Sequence, residues 1–143
     1  MQLGMIGLGR MGGSMAQRLL ESGHDVVAYD RDRAAVQTAA GHGAIAAEGP
    51  ADLVSRLDAP RAVWIMLPAG DVTEAGVDEL LGLLSPGDAI IDGGNANYKD
   101  SIRRAEKSAG HGIDFLDAGT SGGIAGSLRT LVLREPQDAV GRM

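Results

Sequence analysis

The stretch QLGMIGLGRMGGSM, residues 2–15, decides the fold of this chain. It begins with a short apolar run that is typical of a buried strand, and Gly7, Gly9 and Gly12 then follow in the spacing G-x-G-x-x-G. A helical pattern comes next, because apolar residues recur every four positions between residues 11 and 19. A strand before the glycines and a helix after them are the context that a dinucleotide-binding turn requires.

Each glycine has its own physical role in such a turn. Gly7 permits the sharp turn out of the strand, Gly9 lets the backbone approach a pyrophosphate, and Gly12 allows the helix to pack closely on the strand. The helix N-terminus then directs free N–H groups and its positive dipole end at the phosphates. The spacing alone is a weak signal because the chain has 22 glycines, so its context must support it.

An acidic residue about 20 positions after the glycines is the second requirement of a dinucleotide site. Asp30 lies eighteen positions beyond Gly12 and directly follows the apolar run Val26–Tyr29. Its carboxylate can accept hydrogen bonds from the hydroxyls of an adenosine ribose, although an Asp at this position can also cap the next helix. Arg31 has three open interpretations: it stacks on adenine, binds a 2′-phosphate or faces solvent.

The composition is typical of a globular protein with one domain. The chain has 143 residues, 44% of them apolar, and no cysteine, which excludes disulfides and thiolate metal sites. Its three histidines share no metal-ligand spacing, so we predict no metal site. The net charge of −6 argues against partners such as nucleic acid or an anionic membrane. We find no signal peptide and no membrane-spanning apolar stretch, and we therefore expect a cytoplasmic protein.

Strand-like and helix-like segments alternate along the chain, which predicts an α/β fold. The strongest apolar run, Ala62–Leu67, indicates a central parallel strand, and Ala89–Asp92 indicates another. Further segments are the weaker strands 44–46 and 113–117 and the helices 31–40, 51–57, 72–84 and 98–109. We interpret Arg103, Arg104 and Lys107 as a solvated face of the last helix. The alternation predicts a single-domain, Rossmann-type doubly wound parallel sheet with helices on both faces.

Ligands bind beyond the carboxyl ends of the strands in such sheets, and three more segments lie there. Leu67-Pro68-Ala69-Gly70 leaves room for a flat cofactor, but Pro and Gly are also ordinary turn residues. Asp92-Gly93-Gly94-Asn95 contains two glycines that allow positive φ, followed by an amide that can donate and accept. Gly119-Thr120-Ser121-Gly122-Gly123 offers backbone N–H groups and a hydroxyl to an oxyanion. Taken alone, each of the last two segments is more often an ordinary loop.

Together these segments resemble the 6-phosphogluconate dehydrogenase family. The matching pieces are GLGRMGGSMA (7–16), VVAYDR (26–31), VWIMLPAG (63–70), IIDGGNANYKDSIRR (90–104) and FLDAGTSGG (115–123). The glycine fingerprint is common to many enzymes, whereas the IDGGN run and the GTSGG loop are much more specific. The related 3-hydroxyisobutyrate dehydrogenase group shares the glycine-rich start and an SGG loop but usually lacks IDGGN. The resemblance extends from Met1 to about Gly126.

The resemblance implies oxidative decarboxylation of 6-phosphogluconate to ribulose 5-phosphate with reduction of a nicotinamide cofactor, by full-length relatives that are homo-oligomers. By match, the implied cofactor-binding residues are Gly7, Leu8, Gly9, Arg10, Met11, Gly12, Asp30, Arg31, Leu67, Pro68, Ala69 and Asn95. By match, the implied substrate-binding residues are Asn95, Ser121, Gly122 and Gly123. Because a 2′-phosphate would meet the Asp30 carboxylate, we expect NAD to be preferred, with NADP as the weaker alternative.

The chain departs from the family after Gly126. The family continues there into a large helical domain, which supplies a lysine as general base and a glutamate as general acid. Lys99 and Lys107 are the only lysines of this chain, and neither matches the catalytic one. We therefore expect a nucleotide-binding domain over 1–126, a divergent or truncated tail over 127–143, no catalytic residue and no activity in the chain alone. A non-catalytic nucleotide-binding module is the alternative from another class.

Overall fold

The computed structural model describes residues 1–94 and 97–118, in which strands and helices alternate. The strands are β1 (Gln2–Ile6), β2 (Asp25–Tyr29), β3 (Ile45–Ala46), β4 (Ala62–Ile65), β5 (Ala89–Asp92) and β6 (Asp114–Asp117). The helices are α1 (Arg10–Glu21), α2 (Arg33–Gly41), α3 (Pro50–Ser55), α4 (Asp71–Leu81) and α5 (Tyr98–Ala109). None of the helices in these ranges is long and apolar enough to cross a membrane.

The strands form one parallel sheet in the order β3-β2-β1-β4-β5-β6. The chain runs outward from β1 to β3, returns to the centre, and continues outward on the other side from β4 to β6. This is the doubly wound order of a dinucleotide-binding sheet. The predicted Rossmann-type α/β fold is therefore confirmed, and the reversal of strand order lies between β1 and β4.

Alternate residues of the strands other than β3 contribute to two separate cores, one on each face of the sheet. Trp64 of β4 packs on the face that also buries Met15 of α1, whereas its neighbour Ile65 packs with Leu53 of α3 and Leu80 of α4. The period of two follows from strand geometry, in which successive side chains point to opposite faces. Because both faces are covered, the central strand β4 is apolar and buried at every position.

Helix α5 differs from the sequence-based expectation. The interpretation of its three cations as a solvated face is wrong for Arg104, which is 1% exposed, although Arg103 does face solvent. The helix buries a polar stripe of Ser101, Arg104 and Ser108 and leaves Ile102 exposed. The reason is a long-range partner: Glu74 on α4 accepts hydrogen bonds from Arg103, Arg104 and Lys107 at 2.7, 2.8 and 2.6 Å.

Candidate dinucleotide-binding site

A cleft of about 600 Å³ opens at the carboxyl edge of the sheet, where the strand order reverses. Four predicted segments meet in its wall: the glycine loop after β1, the end of β2, and the turns that follow β4 (residues 66–70) and β5 (residues 93–94). The lining residues are Ile6, Gly7, Gly9, Arg10, Met11, Gly12, Tyr29, Asp30, Arg31, Met66, Leu67, Pro68, Val72, Gly93 and Gly94. The structure thus brings these segments together, while the binding role of each residue stays a prediction.

The glycine loop combines two steric requirements with one open position. Gly7 has φ +96°, and a Cβ there would collide with the carbonyl of Met66. A Cβ on Gly12 would collide with the carbonyl of Gly7. By contrast, a Cβ on Gly9 would meet no atom within 4 Å, and its φ of −65° suits any residue. The protein itself therefore does not require a glycine at position 9, but a ligand at this point would.

The N-terminus of α1 is open to the cleft. Gly9 is its N-cap, so no side chain caps the first turn. The first N–H groups of a helix have no partner within the helix, and together with the helix dipole they favour an anion. The space that a Cβ of Gly9 would occupy is free, so an anionic group can approach these N–H groups.

Asp30 connects the glycine loop to the turn after β2. Its Oδ2 accepts from the backbone N–H of Leu8 at 2.6 Å, and its Oδ1 accepts from the N–H of Asp32 at 2.8 Å. The alternative that Asp30 caps α2 is wrong, because Asp32 is the N-cap and accepts from the N–H of Ala34. Each carboxylate oxygen can accept more than one hydrogen bond, so Asp30 remains able to bind ribose hydroxyls. The side chain of Leu8 is buried, and only its N–H takes part in this connection.

Arg31 is exposed at the boundary between two depressions. It lines the main cleft and also a neighbouring depression of about 520 Å³. Arg33 and Glu48 line that second depression as well. Two cations and one carboxylate therefore surround the position next to Asp30, and the three interpretations of Arg31 stay open.

The two glycines after β5 pack closely against β4 and the turn that follows it. The expectation that Gly93 and Gly94 provide positive φ is wrong, since neither has it. Instead, a Cβ on Gly93 would collide with the indole of Trp64, and a Cβ on Gly94 would lie 2.5 Å from the carbonyl oxygen of Leu67. Close approach, not backbone conformation, requires glycine at both positions. Ala69 is exposed in the first turn and does not line the cleft.

A buried ion pair lies beneath these turns and was not foreseen from the sequence. Asp92 is fully buried at the end of β5, and its Oδ1 accepts from the N–H of Gly94 at 2.9 Å. Its Oδ2 lies 3.7 Å from Nη1 of Arg104. Burial raises the pKa of Asp92 and the Asp117 carboxylate adds to this, whereas the Gly94 N–H and Arg104 act in the opposite direction. No local pattern links positions 92 and 104, so sequence reasoning had no signal for this pair.

Several predicted site residues lie outside the described ranges. These are Asn95, Ser121, Gly122 and Gly123, together with the proposed tail 127–143. Sequence reasoning also missed Ile6, Tyr29, Met66 and Val72 of the cleft, although the first three directly adjoin predicted residues. In the part of the chain that the structure describes, no three His, Asp or Glu side chains are grouped to hold a metal ion.

Comparison of the sequence with known families also indicates a dinucleotide-binding domain. Residues 2–132 match the model of the NAD binding domain of 6-phosphogluconate dehydrogenase. An NAD(+)-dependent, decarboxylating 6-phosphogluconate dehydrogenase of Haloferax volcanii is 48% identical over 127 residues, which are 89% of this chain and 42% of the relative. A decarboxylating 6-phosphogluconate dehydrogenase of Haemophilus influenzae is 41% identical over 130 residues, covering 87% of this chain and 27% of the relative. The chain therefore spans less than half the length of these relatives.

Solved structures share the fold. The 3-hydroxyisobutyrate dehydrogenase of Mycobacterium tuberculosis matches with a TM-score of 0.78 and 30% identity, covering 87% of this chain and 42% of that one. The 6-phosphogluconate dehydrogenase of Plasmodium falciparum also gives a TM-score of 0.78, with 28% identity over 89% of this chain and 28% of its own length. The backbone alone does not separate these two groups of enzymes.

Proposed function

Because this chain belongs to the family of 6-phosphogluconate dehydrogenase NAD-binding domains, we propose that its cleft binds the nicotinamide cofactor of such an enzyme. The observation that carries the proposal is the open N-terminus of α1, where Gly9 leaves space that the fold does not require. Asp30 lies in the same cleft at the end of β2, at the position of a ribose-binding acid. The glycine turn and an acid about 20 residues further on are together the fingerprint of a dinucleotide-binding sheet.

The cofactor would cross the cleft from the β2 side to the β5 side. The pyrophosphate would bind the N–H groups at the start of α1, and the adenosine ribose would donate to Asp30. The nicotinamide half would then lie against Leu67, Pro68, Gly93 and Gly94, the residues of the remaining wall. Bound there, the nicotinamide ring would accept a hydride from the substrate. We propose Asn95 as a contact to both cofactor and substrate, and Ser121, Gly122 and Gly123 as contacts to the substrate carboxylate.

We further propose that the site prefers NAD to NADP. The carboxylate of Asp30 is held by two backbone N–H groups, so it cannot turn away from a 2′-phosphate without leaving both unpaired. Two unit charges about 4 Å apart repel by about 1 kcal/mol in water and about 4 kcal/mol at an effective dielectric of 20. Because Asp30 is only half-buried, the lower part of that range applies, which is roughly tenfold in affinity. The Haloferax relative is named as NAD(+)-dependent, which supports this proposal, whereas the Plasmodium falciparum enzyme is described with NADP+.

Titration of both cofactors tests the proposal. The unmodified chain should bind NAD about tenfold more tightly than NADP. Asp30→Asn should narrow or reverse the difference, since it removes the charge that meets the phosphate. Asp32→Asn is the matched control, because its amide oxygen can still cap α2 and it does not line the cleft. Equal binding of the two cofactors, or the same effect in both variants, would leave Asp30 as a structural connection only.

The full reaction is the wider part of the proposal. We propose that the chain forms the cofactor-binding part of an oxidative decarboxylase of 6-phosphogluconate. The general base and acid would belong to a region matching the remaining length of the relatives, since the chain spans 42% of the Haloferax enzyme. Oxidation of 3-hydroxyisobutyrate is the second candidate, because that enzyme fits the fold equally well. A panel of both substrates, assayed on a full-length enzyme that carries this domain, would separate the two.

A further inference from the structure

We propose that Arg104 is a positioning residue, which joins the two turns that form the nicotinamide half of the cleft. The proposal rests on the proposed function, because it assigns the turns after β4 and β5 to one half of the cofactor. Arg104 itself does not line the cleft. It would act through the backbone of the turns on either side of it.

One guanidinium group makes three separate contacts, each to a different element. Its Nη2 donates to the carbonyl of Gly70, the N-cap of α4 and the last residue of the turn after β4. Its Nη1 lies 3.7 Å from Oδ2 of Asp92, the last residue of β5. Its Nε donates to Glu74 of α4 at 2.8 Å, which fixes the orientation of the planar group. Arg104 therefore contacts the turn after β4 directly, and it reaches the turn after β5 through Asp92.

The positions of the two turns depend on each other. Asp92 accepts a hydrogen bond from the N–H of Gly94, so its ion pair with Arg104 also restrains the position of the turn after β5. The turn after β5 also contacts the turn after β4, because a Cβ on Gly94 would lie 2.5 Å from the carbonyl oxygen of Leu67. Leu67 and Gly94 both line the cleft. A shift of either turn would therefore change the width of the cleft at this end.

Stability alone does not account for the buried pair. Asp92 and Arg104 are 0% and 1% exposed, and their facing atoms, Oδ2 and Nη1, have no hydrogen-bond partner among the described residues. A buried ion pair with incomplete hydrogen bonding contributes little, and apolar side chains of similar volume often stabilise a protein equally well. A polar pair at this place is better explained by the geometry that it imposes on the two turns. Such a role is local to one end of the cleft.

Two ligands that differ only in the nicotinamide ring can test this local role. NAD contacts the whole cleft, whereas ADP-ribose has the adenosine, both phosphates and the second ribose but no nicotinamide. For Arg104→Met we expect NAD binding to weaken at least tenfold and ADP-ribose binding to change less than threefold. A purely structural loss would reduce the fraction of folded protein and would weaken both ligands by the same factor. The ratio of the two dissociation constants is therefore the decisive measurement.

Arg103→Met is the matched control. Arg103 also bonds Glu74, at 2.7 Å, but its other guanidinium nitrogen bonds Asp100 at the surface, so the ratio should not change. Asp92→Asn and Arg104→Lys are the variants to use if Arg104→Met does not fold, because both keep the volume nearly constant. Each should weaken NAD selectively. An unchanged ratio in these variants, or an equal loss of both ligands, would overturn the role of Arg104, whereas failure of the unmodified chain to bind either ligand would overturn the proposed function itself.

Discussion

Gly9 and Gly12 both belong to the G-x-G-x-x-G motif, but glycine is needed at each position for a different physical reason. A Cβ on Gly12 would overlap the carbonyl of Gly7, so the fold excludes any larger residue there. A Cβ on Gly9 would enter empty space at the start of α1. One glycine is thus required by the packing of the helix on the strand, and the other by the space that we assign to a pyrophosphate.

Alanine at the two positions should therefore separate stability from binding. Gly12→Ala should lower the free energy of unfolding by about 1–3 kcal/mol, the usual cost of overpacking. Gly9→Ala should stay within about 1 kcal/mol of the unmodified chain, yet weaken NAD at least tenfold. Urea unfolding and NAD titration measure the two effects, with Gly41→Ala as a control at an open helical position. Normal NAD binding by Gly9→Ala would show that the space at the α1 N-terminus is not used.

At the scale of single residues, the sequence indicates which positions matter better than it indicates why each needs its residue type. The glycines at 93 and 94 were singled out for positive φ, but they serve the close approach of Trp64 and Leu67. Such contacts depend on a side chain and a backbone carbonyl about 30 positions earlier in the chain, which no local pattern contains. The sequence indicates Asp30 as a ribose-binding acid, and Asp30 does line the cleft, but its two hydrogen bonds from backbone N–H groups follow only from the fold.

The helices α4 and α5 form one electrostatic unit at the scale of elements. Glu74 accepts from Arg103, Arg104 and Lys107, and Lys107 also bonds Asp78 at 2.7 Å. The charge pattern of α5 alone predicts a solvated helix, because its partners belong to another helix. The apolar strands were predictable from their runs, since burial on both faces leaves a continuous apolar signal. A polar stripe that is buried by a partner on another helix leaves no such signal.

The pH dependence of stability should reveal this unit. The hydrogen bond from Lys107, followed by that from Arg104, lowers the pKa of Glu74 from 4.5 to about 2. A carboxyl with a lowered pKa in the folded state stabilises fully above about pH 4.5, and this contribution is lost as the pH falls towards 2. The full shift corresponds to about 3 kcal/mol, and solvent screening of a side chain that is 24% exposed reduces this to about 1–2 kcal/mol.

Glu74→Gln is the variant that isolates the effect. The difference in unfolding free energy from the unmodified chain should be about 1–2 kcal/mol at pH 7 and should close near pH 2. Asp78→Asn is the control, because that carboxylate is 54% exposed and should contribute less than about 0.5 kcal/mol. Urea unfolding at several pH values between 2 and 7 measures both. A difference for Glu74→Gln that stayed constant with pH would contradict the assignment.

At the scale of the whole molecule, the order of the strands determines where the cleft lies. Apolar runs of strand length separated by helical patterns predict a doubly wound sheet, and the sheet then places the cleft where the order reverses. Topology rules therefore suffice to predict the location of the cleft from the sequence. They do not predict a substrate, because this strand order is common to many enzymes. The same limit appears in the equal fit of two different dehydrogenases.

Binding and turnover should consequently separate in a polypeptide of these 143 residues. Saturation with NAD at a hundred times its dissociation constant should add about 2.7 kcal/mol to the free energy of unfolding, visible as a rise in Tm. If, as we propose, the general base and general acid belong to another region of the enzyme, no NADH should form above background with 6-phosphogluconate present, because the loss of each group costs roughly 10²–10⁴-fold in rate. The Haloferax relative, assayed in parallel, is the positive control. A turnover of about one per second, which is within the usual range of enzymes, would show that these residues contain the acid and base themselves.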